Sequence, residues 1–344
     1  MADRRIGEFE LIRRLQQATP LPLSAASSVV AGIGDDAAVL KPRAGRVMLA
    51  TTDLLADRVH FDLSVITYRQ LGYKAVVANL SDIAAMGGVP RYVLIALALS
   101  PRETARDVSA LYAGIREACR PVGCAVVGGD TSASRGGLFL SLTLLGEAAP
   151  REVLRRSGAR AGDRLYVTGT LGDARAGLEL SRGKKKRPRK TAVGARDQAF
   201  LIARHVAPSA RVREGRLLAE TGLASAAIDL SDGLAGDLRH VCEESGVGGL
   251  VDLRRLPLSP ALIAYARARR RPPWEYALIG GEDYELLFTV PPKLAARVDA
   301  LIRRRRLRAT AIGAITSRRR GLRVIGADGA VRPLTAKSYE HRVG

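Results

Sequence analysis

The sequence predicts a two-domain α/β (α+β) protein, and three observations carry that expectation. Short apolar runs ended by turn residues alternate with longer stretches of helical periodicity along the whole chain. One compact α/β block closes near residue 149 and a second begins, which divides the chain into residues 1–149 and 150–344. The 344 residues, 47% of them hydrophobic, are long and apolar enough for real cores and too apolar for a disordered chain.

The elements follow in order. Phe9, Leu11, Ile12 and Leu15 give residues 8–17 an amphipathic helical stripe. Residues 47–52 and 93–99 are short apolar strands, and residues 68–86, rich in Ala, Val and Leu, form a largely buried helix between them. Pro101 opens a further helix whose face is marked by Ala105, Val108, Leu111, Ile115 and Ala118. A strand at 125–127, a Gly-Gly-Asp turn and a strand at 138–146 complete the first block. In the second, strands are expected at 165–168, 226–230, 249–253, 286–290, 310–315 and 322–326. Helices are expected at 171–180, 197–206, 211–221, 234–245, 260–268 and 292–304. The basic stretch 182–196, with its Pro and Gly, reads as an exposed loop.

Composition excludes several classes of function. No run approaches the ~18 apolar residues of a membrane span, and MADRRIGEFE carries no apolar signal core. Cys119, Cys124 and Cys242 form no CxxC pair and read as free thiols of a reducing compartment, so a cytoplasmic protein without membrane partners is expected. The net charge of +21 invites a nucleic-acid reading, but 17 of the positives lie in four runs around 182–190, 269–271, 303–306 and 318–320. Without them the balance is +4, and no aromatics alternate with the runs, so solvated surface charge is the favoured reading over nucleic-acid binding.

The chemistry lies in the aspartates. Asp35 and Asp36 in GIGDDAAVL, Asp53 in TTDLL, Asp82 in NLSDIAAMGG, Asp130 in VVGGDTS, Asp229 and Asp232 in AIDLSDGL, and Glu282 with Asp283 in GGEDYEL sit among glycines and small apolar residues. Burying carboxylates there costs several kcal/mol, on the order of what hydrogen bonds, a partner charge or a cation must offset. Any single one could be a turn aspartate that accepts backbone N–H groups; six such sites together are harder to explain that way. Oxygen-only donors point to a hard cation, Mg2+ before Zn2+. Gly-rich turns let backbone amides approach a phosphate, and metal ions reconcile the carboxylates with the phosphate's own charge. A Walker loop is absent, and the GxGxxA match at Gly32–Ala37 runs into Val39-Leu40-Lys41-Pro42 rather than a helix. With four histidines and no nucleophile elbow, nucleophilic catalysis has little support; His60 is the one suggestive histidine, with a satisfied, partly buried imidazole as the alternative.

These motifs, in this order, resemble the thiamine-monophosphate kinase family, within the superfamily of ATP-binding enzymes that includes aminoimidazole ribonucleotide synthetase. The resemblance runs from GEFELI at Gly7 to His341 and is carried by GIGDDAAVL, TTDLL, YKAVVANLSDIAAMGG, GGDT, RSGARAGD, VTGTLGDARAGL, AIDLSDGL and GGEDYEL. It implies phosphorylation of thiamine phosphate to thiamine diphosphate with ATP as co-substrate and several Mg2+ ions. Asp36, Thr51, Thr52, Asp53, Asp82, Asp130, Asp229 and Asp232 match the family's metal-binding positions. Tyr112, Gly129, Asp130, Arg156 and Ser231 match its ATP contacts, and His60, Glu282 and Tyr339 its thiamine phosphate contacts. Asp53, Asp82, Asp130 and Arg156 are the residues on which catalysis is expected to depend. The implied fold is a homodimer whose N-terminal sheets close a shared barrel, with a C-terminal α/β domain closing an active-site cleft. The chain departs from the family in its more basic 182–190 stretch and in Arg342, where the family has an aromatic after the final His.

The implied reaction agrees with the residues. The acceptor oxygen belongs to a phosphate whose second pKa is about 6, so it is already ionised and needs no general base. What remains is to hold two anions in line and to spread developing charge over cations and Arg156. Another ATP-dependent member of the superfamily stays open as the alternative, although two such members require cysteines that this sequence does not place. Selenide water dikinase needs an N-terminal reactive Cys, whereas the first here is Cys119; the hydrogenase maturation protein needs a C-terminal Cys, whereas this chain ends in His341-Arg342-Val343-Gly344.

Overall fold

The computed structural model describes residues 8–33, 37–183 and 193–336. The chain divides into two compact units, residues 1–83 with 88–151 and residues 84–87 with 152–344. Unit 1 contains α1 (Glu8–Ala18), β1 (Val29–Ala31), β2 (Val39–Leu40), β3 (Val47–Ala56), α2 (Tyr68–Ala85), β4 (Val89–Leu99), α3 (Ala105–Cys119), β5 (Ala125–Ala133) and β6 (Phe139–Ala148). Four of its strands form a sheet in the order β3-β6-β4-β5.

Alternation along β3 decides what each face of that sheet does. Leu49, Thr51, Asp53 and Leu55 share one face, where Thr51 bonds to Asp82 of α2 and where the β6 partners Leu144, Leu142 and Leu140 are fully buried. Met48, Ala50, Thr52 and Leu54 lie on the other face, which is largely open: Met48 is 46% and Leu54 57% exposed, and Ala96 of β4 is exposed as well.

Unit 1 differs from the pattern read along the chain in the unforeseen short strands β1 and β2, in the start of its third helix and in its Gly-Gly-Asp segment. The third helix starts at Ala105 rather than Pro101, because Thr104 and Asp107 form a reciprocal capping box that fixes the start. Gly128-Gly129-Asp130 is not a turn but part of β5, paired parallel to β4. Gly129 explains this: a Cβ there would lie 1.9 Å from the carbonyl oxygen of Ile95, so only glycine permits the close pairing.

Unit 2 contains β7 (Arg164–Thr168), α4 (Asp173–Gly183), α5 (Ala195–Val206), α6 (Val212–Thr221), β8 (Ala226–Asp229), α7 (Leu234–Ser245) and β9 (Val247–Asp252). It continues with α8 (Pro260–Ala268), α9 (Pro273–Ile279), β10 (Leu286–Val290), α10 (Pro292–Arg303), β11 (Ala309–Ser317), β12 (Leu322–Ile325) and β13 (Val331–Pro333). Its seven-stranded sheet has the order β13-β12-β9-β11-β7-β10-β8 and packs helices on both faces. Leu165, Val167, Ile228 and Leu287 meet Leu234, Leu238 and Val241 of α7 on one face. Tyr166 and Phe288, with ring centroids 5.4 Å apart, meet Leu218 of α6 and Val298 of α10 on the other. A third cluster ties α4, α5, α8 and α9 together through Leu180, Leu201, Leu262 and Tyr276.

The arginines of the runs at 269–271, 303–306 and 318–320 are all exposed, as solvated charge should be. Most of the fourth run, residues 184–190, lies outside the described residues. All three cysteines are free and buried, and among the described residues no helix is long and apolar enough to cross a membrane.

Candidate active site

In unit 1, β3 and α2 bring two acids together. The hydroxyl of Thr51 donates to Asp82 Oδ2 at 2.5 Å, which orients that carboxylate toward the strand. Asp53 lies two residues along the same face, and its pKa is pushed up from 3.8 to about 6, first by burial and then by the charge of Asp82. Two carboxylates that repel each other on one face are what a bound cation would relieve. Thr52 points to the opposite face, where its hydroxyl donates to the Leu142 carbonyl and shares a bond with Thr143.

That repulsion has a measurable consequence in metal-free protein. An acid whose folded pKa is raised loses stability as pH climbs from 3.8 to about 6, because only the unfolded chain ionises it without penalty. Asp53→Asn should therefore stabilise the metal-free protein at pH 8 by about 1–3 kcal/mol, at 1.36 kcal/mol for each pKa unit. The gain should vanish below pH ~4, where both states are protonated. Chemical denaturation in a chelator at the two pH values reads both arms, and an equal or negative effect at pH 8 would show that Asp53 carries no such penalty.

His60 follows the end of β3, and its Nδ1 accepts the Ala56 N–H at 3.0 Å. In the neutral ring the proton therefore sits on Nε2, a donor suited to an anionic oxygen rather than a base. Tyr112 is buried in α3, only 5% exposed, and burial raises its phenol pKa. Gly129 and Asp130 are exposed on β5, three strand positions from Asp53, roughly 14 Å across the sheet at ~4.8 Å per strand. Asp130 is in register with Ala96, Ser141 and Leu54, on the open face, so unit 1 joins Asp53 to Asp82 and leaves Asp130 apart from them. Asp36 lies outside the described residues.

In unit 2, β8 delivers Asp229, 3% exposed, to the start of the Ser231-Asp232-Gly233 turn that leads into α7. A third acid there escaped the sequence reading. Asp237, 2% exposed, accepts the N–H groups of Asp232 at 3.2 Å and Gly233 at 3.0 Å. Burial, and next the charges of Asp229 and Asp232, push its pKa up to about 8. Its one sequence signal was an acid in the first helical turn after a glycine turn. Arg156 is exposed in the segment before β7, and its carbonyl accepts the Ser245 hydroxyl at 3.3 Å.

The GGEDYEL segment runs antiparallel to this turn, with Glu282 N–H donating to the Ser231 carbonyl at 2.8 Å and Tyr284 N–H to Leu230 at 2.9 Å. Gly281 permits the contact, since a Cβ there would come within 2.5 Å of the Ser231 oxygen. Glu282 and Tyr284 both hold positive φ, +67° and +51°, an unfavourable backbone for such residues of the kind that clusters at functional sites. Between them Asp283 accepts the N–H groups of Gly172 at 2.6 Å and Ala174 at 3.3 Å, at the start of α4. Glu285, fully buried, accepts Thr168, Arg204 and Arg211. Arg204, His205, Arg211 and Glu285 were likewise missed, because nothing local in the sequence relates α5 to the GGEDYEL segment. Tyr339 lies outside the described residues.

Among the described residues no three His, Cys, Asp or Glu side chains are gathered into a complete cation site. Pairs of carboxylates are nevertheless the usual protein share of a Mg2+ shell, which takes its other ligands from phosphates and water.

Comparison with known proteins agrees with both units. Residues 34–148 match the AIR synthase related protein N-terminal domain and residues 160–325 the corresponding C-terminal domain. The chain is 38% identical to the thiamine-monophosphate kinase of Escherichia coli K12 over 335 residues, 97% of this chain and 98% of the relative. It is 37% identical to that of Haemophilus influenzae over 91% of this chain and 90% of the relative. Among solved structures, the Stenotrophomonas maltophilia thiamine-monophosphate kinase superposes with a TM-score of 0.78 at 34% identity, covering 94% of this chain and 97% of that one. AaThiL complexed with AMPPCP and TMP gives 0.75 at 34% identity over 99% and 100%. The hydrogenase maturation protein HypE in complex with ATP gives 0.71 at 20% identity over 96% of this chain and 92% of that one, a likeness of fold alone.

Proposed function

The chain belongs to the thiamine-monophosphate kinase family, and from that premise we propose that it transfers the γ-phosphoryl group of ATP directly to the phosphate of thiamine phosphate, forming thiamine diphosphate. The observation that carries this reading in the structure is the Asp53–Asp82 pair, two acids held on one sheet face with a raised pKa at Asp53.

Those donors fit Mg2+. All are oxygens, the pair is self-repelling, and a hard cation with an incomplete protein shell leaves room for phosphate oxygens. We assign the metal positions to Asp36, Thr51, Thr52, Asp53, Asp82 and Asp130 of unit 1, and to Asp229 and Asp232 of unit 2. Bound magnesium would supply the positive charge that phosphoryl transfer between two anions requires. The remaining roles belong to side chains and backbone. Thr51 orients Asp82, and Asp237 fixes the Ser231-Asp232-Gly233 turn by accepting two of its N–H groups. Exposed Arg156 is free to reach a phosphate, and with Tyr112, Gly129, Asp130 and Ser231 it makes the ATP set. His60, donating from Nε2, and Glu282, with Tyr339, make the acceptor set. No base enters the scheme, because the attacking oxygen arrives ionised.

The open face of the unit 1 sheet supports a homodimer. Met48, Leu54 and their neighbours leave apolar surface that a second copy of the same sheet would cover. Free cysteines throughout fit a cytoplasmic enzyme.

Acceptor choice tests the reading. With ATP and Mg2+, thiamine phosphate should be converted and free thiamine, which offers only a neutral hydroxyl, should not. Formation of thiamine phosphate from thiamine at a comparable rate would mean that a base is present and the acceptor is misassigned.

A further inference from the structure

We propose that His205 is a positioning residue for Glu282, holding that carboxylate in the orientation in which it receives thiamine phosphate. The inference rests on the assignment of Glu282 to the acceptor set.

His205 sits in the last turn of α5 and is only 5% exposed. Its Nδ1 is 3.1 Å from Glu282 Oε2, while the Glu282 side chain itself keeps 30% of its exposure. One partner is thus an interior anchor and the other remains open to a ligand. The backbone of Glu282 is already fixed by its N–H bond to Ser231 and its positive φ, and on either side by the close contact at Gly281 and the two N–H bonds to Asp283. Beyond that fixed backbone, the imidazole holds the tip of the three-bond Glu side chain.

The anchor is itself anchored. Arg204, the preceding residue, pairs with buried Glu285 at 2.9 Å and lies 3.9 Å from Asp173. The end of α5 is therefore docked by two charges, Glu285 in the same stretch of chain as Glu282 and Asp173 at the start of α4. A restrained carboxylate binds its ligand without the ordering cost that a free side chain incurs, so the benefit falls on affinity for the acceptor. Buried as it is, His205 acts through Glu282 rather than on the substrate.

Steady-state kinetics of five variants, four single and one double, decide the matter. His205→Leu should raise KM for thiamine phosphate about tenfold, with much smaller changes in kcat and in KM for ATP. His205→Asn, whose amide nitrogen reaches the place of Nδ1, should recover most of the loss; His205→Gln, which mimics the other ring nitrogen, should not. Glu282→Gln should raise the same KM, and adding His205→Leu to it should cost little more, because the two act as one unit. If Glu282→Gln leaves KM for thiamine phosphate unchanged, the assignment of Glu282 fails, and the proposal with it. If Glu282→Gln raises KM but the His205 variants do not, or the two effects are additive, Glu282 stands and the positioning role is wrong. Should His205→Leu not fold, the contrast between Asn and Gln carries the same decision, and equal KM values for those two would overturn the proposal.

Discussion

Asp82→Asn is expected to lower turnover at least ~100-fold while far-UV circular dichroism stays unchanged. The substitution keeps size and shape, and Asn Oδ1 can still accept the Thr51 hydroxyl that now reaches Asp82 at 2.5 Å. What it removes is one negative charge from the pair, a charge that after burial is the second cause of the raised pKa of Asp53. If that pair exists to hold positive charge against the transferring phosphoryl group, losing half of it removes stabilisation made mainly in the transition state. The loss should therefore fall on kcat, as one preorganised electrostatic contact in a low-dielectric site is worth about 10²–10³ in rate. Near-normal turnover in Asp82→Asn would sink the proposal that the unit 1 acids hold metal for catalysis.

The largest effect on stability is expected at Glu285. Its carboxylate is fully buried and accepts hydrogen bonds from Thr168 at 2.7 Å, from Arg204 at 2.9 Å and from both Nε and Nη2 of Arg211. Glu285→Ala leaves two guanidinium groups without that partner, with side-chain exposures of only 14% and 19%. Breaking a buried ion pair from one side costs about 3–5 kcal/mol, because the surviving charge stays desolvated. For a domain of this size each kcal/mol moves Tm by roughly 2–4 °C, so a fall on the order of 10 °C is expected by calorimetry. Glu285→Gln keeps the shape and one acceptor and should lose about half as much. A Tm within ~2 °C of the parent for Glu285→Ala would mean that the arginines find other partners at no cost.

Both expectations bear on what could be read along the chain. Asp53 and Asp82 were legible as chemistry because acids between small apolar residues are expensive without a purpose. Their grouping with Asp130 came with the family resemblance; the geometry of the pair was not legible, since it depends on Thr51 and Asp53 facing α2 rather than the open side, a matter of register between β3 and β6. Gly128-Gly129-Asp130 looked like a turn because two adjacent glycines usually make one. It is a strand because Gly129 lets β5 lie against Ile95 of β4, which also carries Asp130 to the far edge of the sheet. The helices and strands of unit 2 followed their periodicities closely, apart from α9 and β13, seven and three residues long, which are too short to show a period.

Residues whose importance lies in long-range contacts were invisible. Glu285 lies within the GGEDYEL motif without a role of its own in the sequence, and it becomes a hub only when α5 and the chain at Arg211 fold against it, more than 70 positions away. His205 looked like a basic residue in the last turn of a helix, where a cation is common anyway. Asp237 could pass for an ordinary first-turn acid until the turn preceding it was seen to depend on its Oδ2, which accepts both N–H groups.

Direct transfer between two phosphates is the reaction from which the roles given to these residues follow, and its stereochemistry is open to measurement. With ATP made chiral at the γ-phosphorus by oxygen isotopes, and thiamine phosphate as acceptor, a single in-line displacement must deliver thiamine diphosphate with inverted configuration at that phosphorus. Inversion is the expected result. Retention would require two displacements through a phosphorylated side chain, and would contradict a site built from metal-holding acids without a nucleophile.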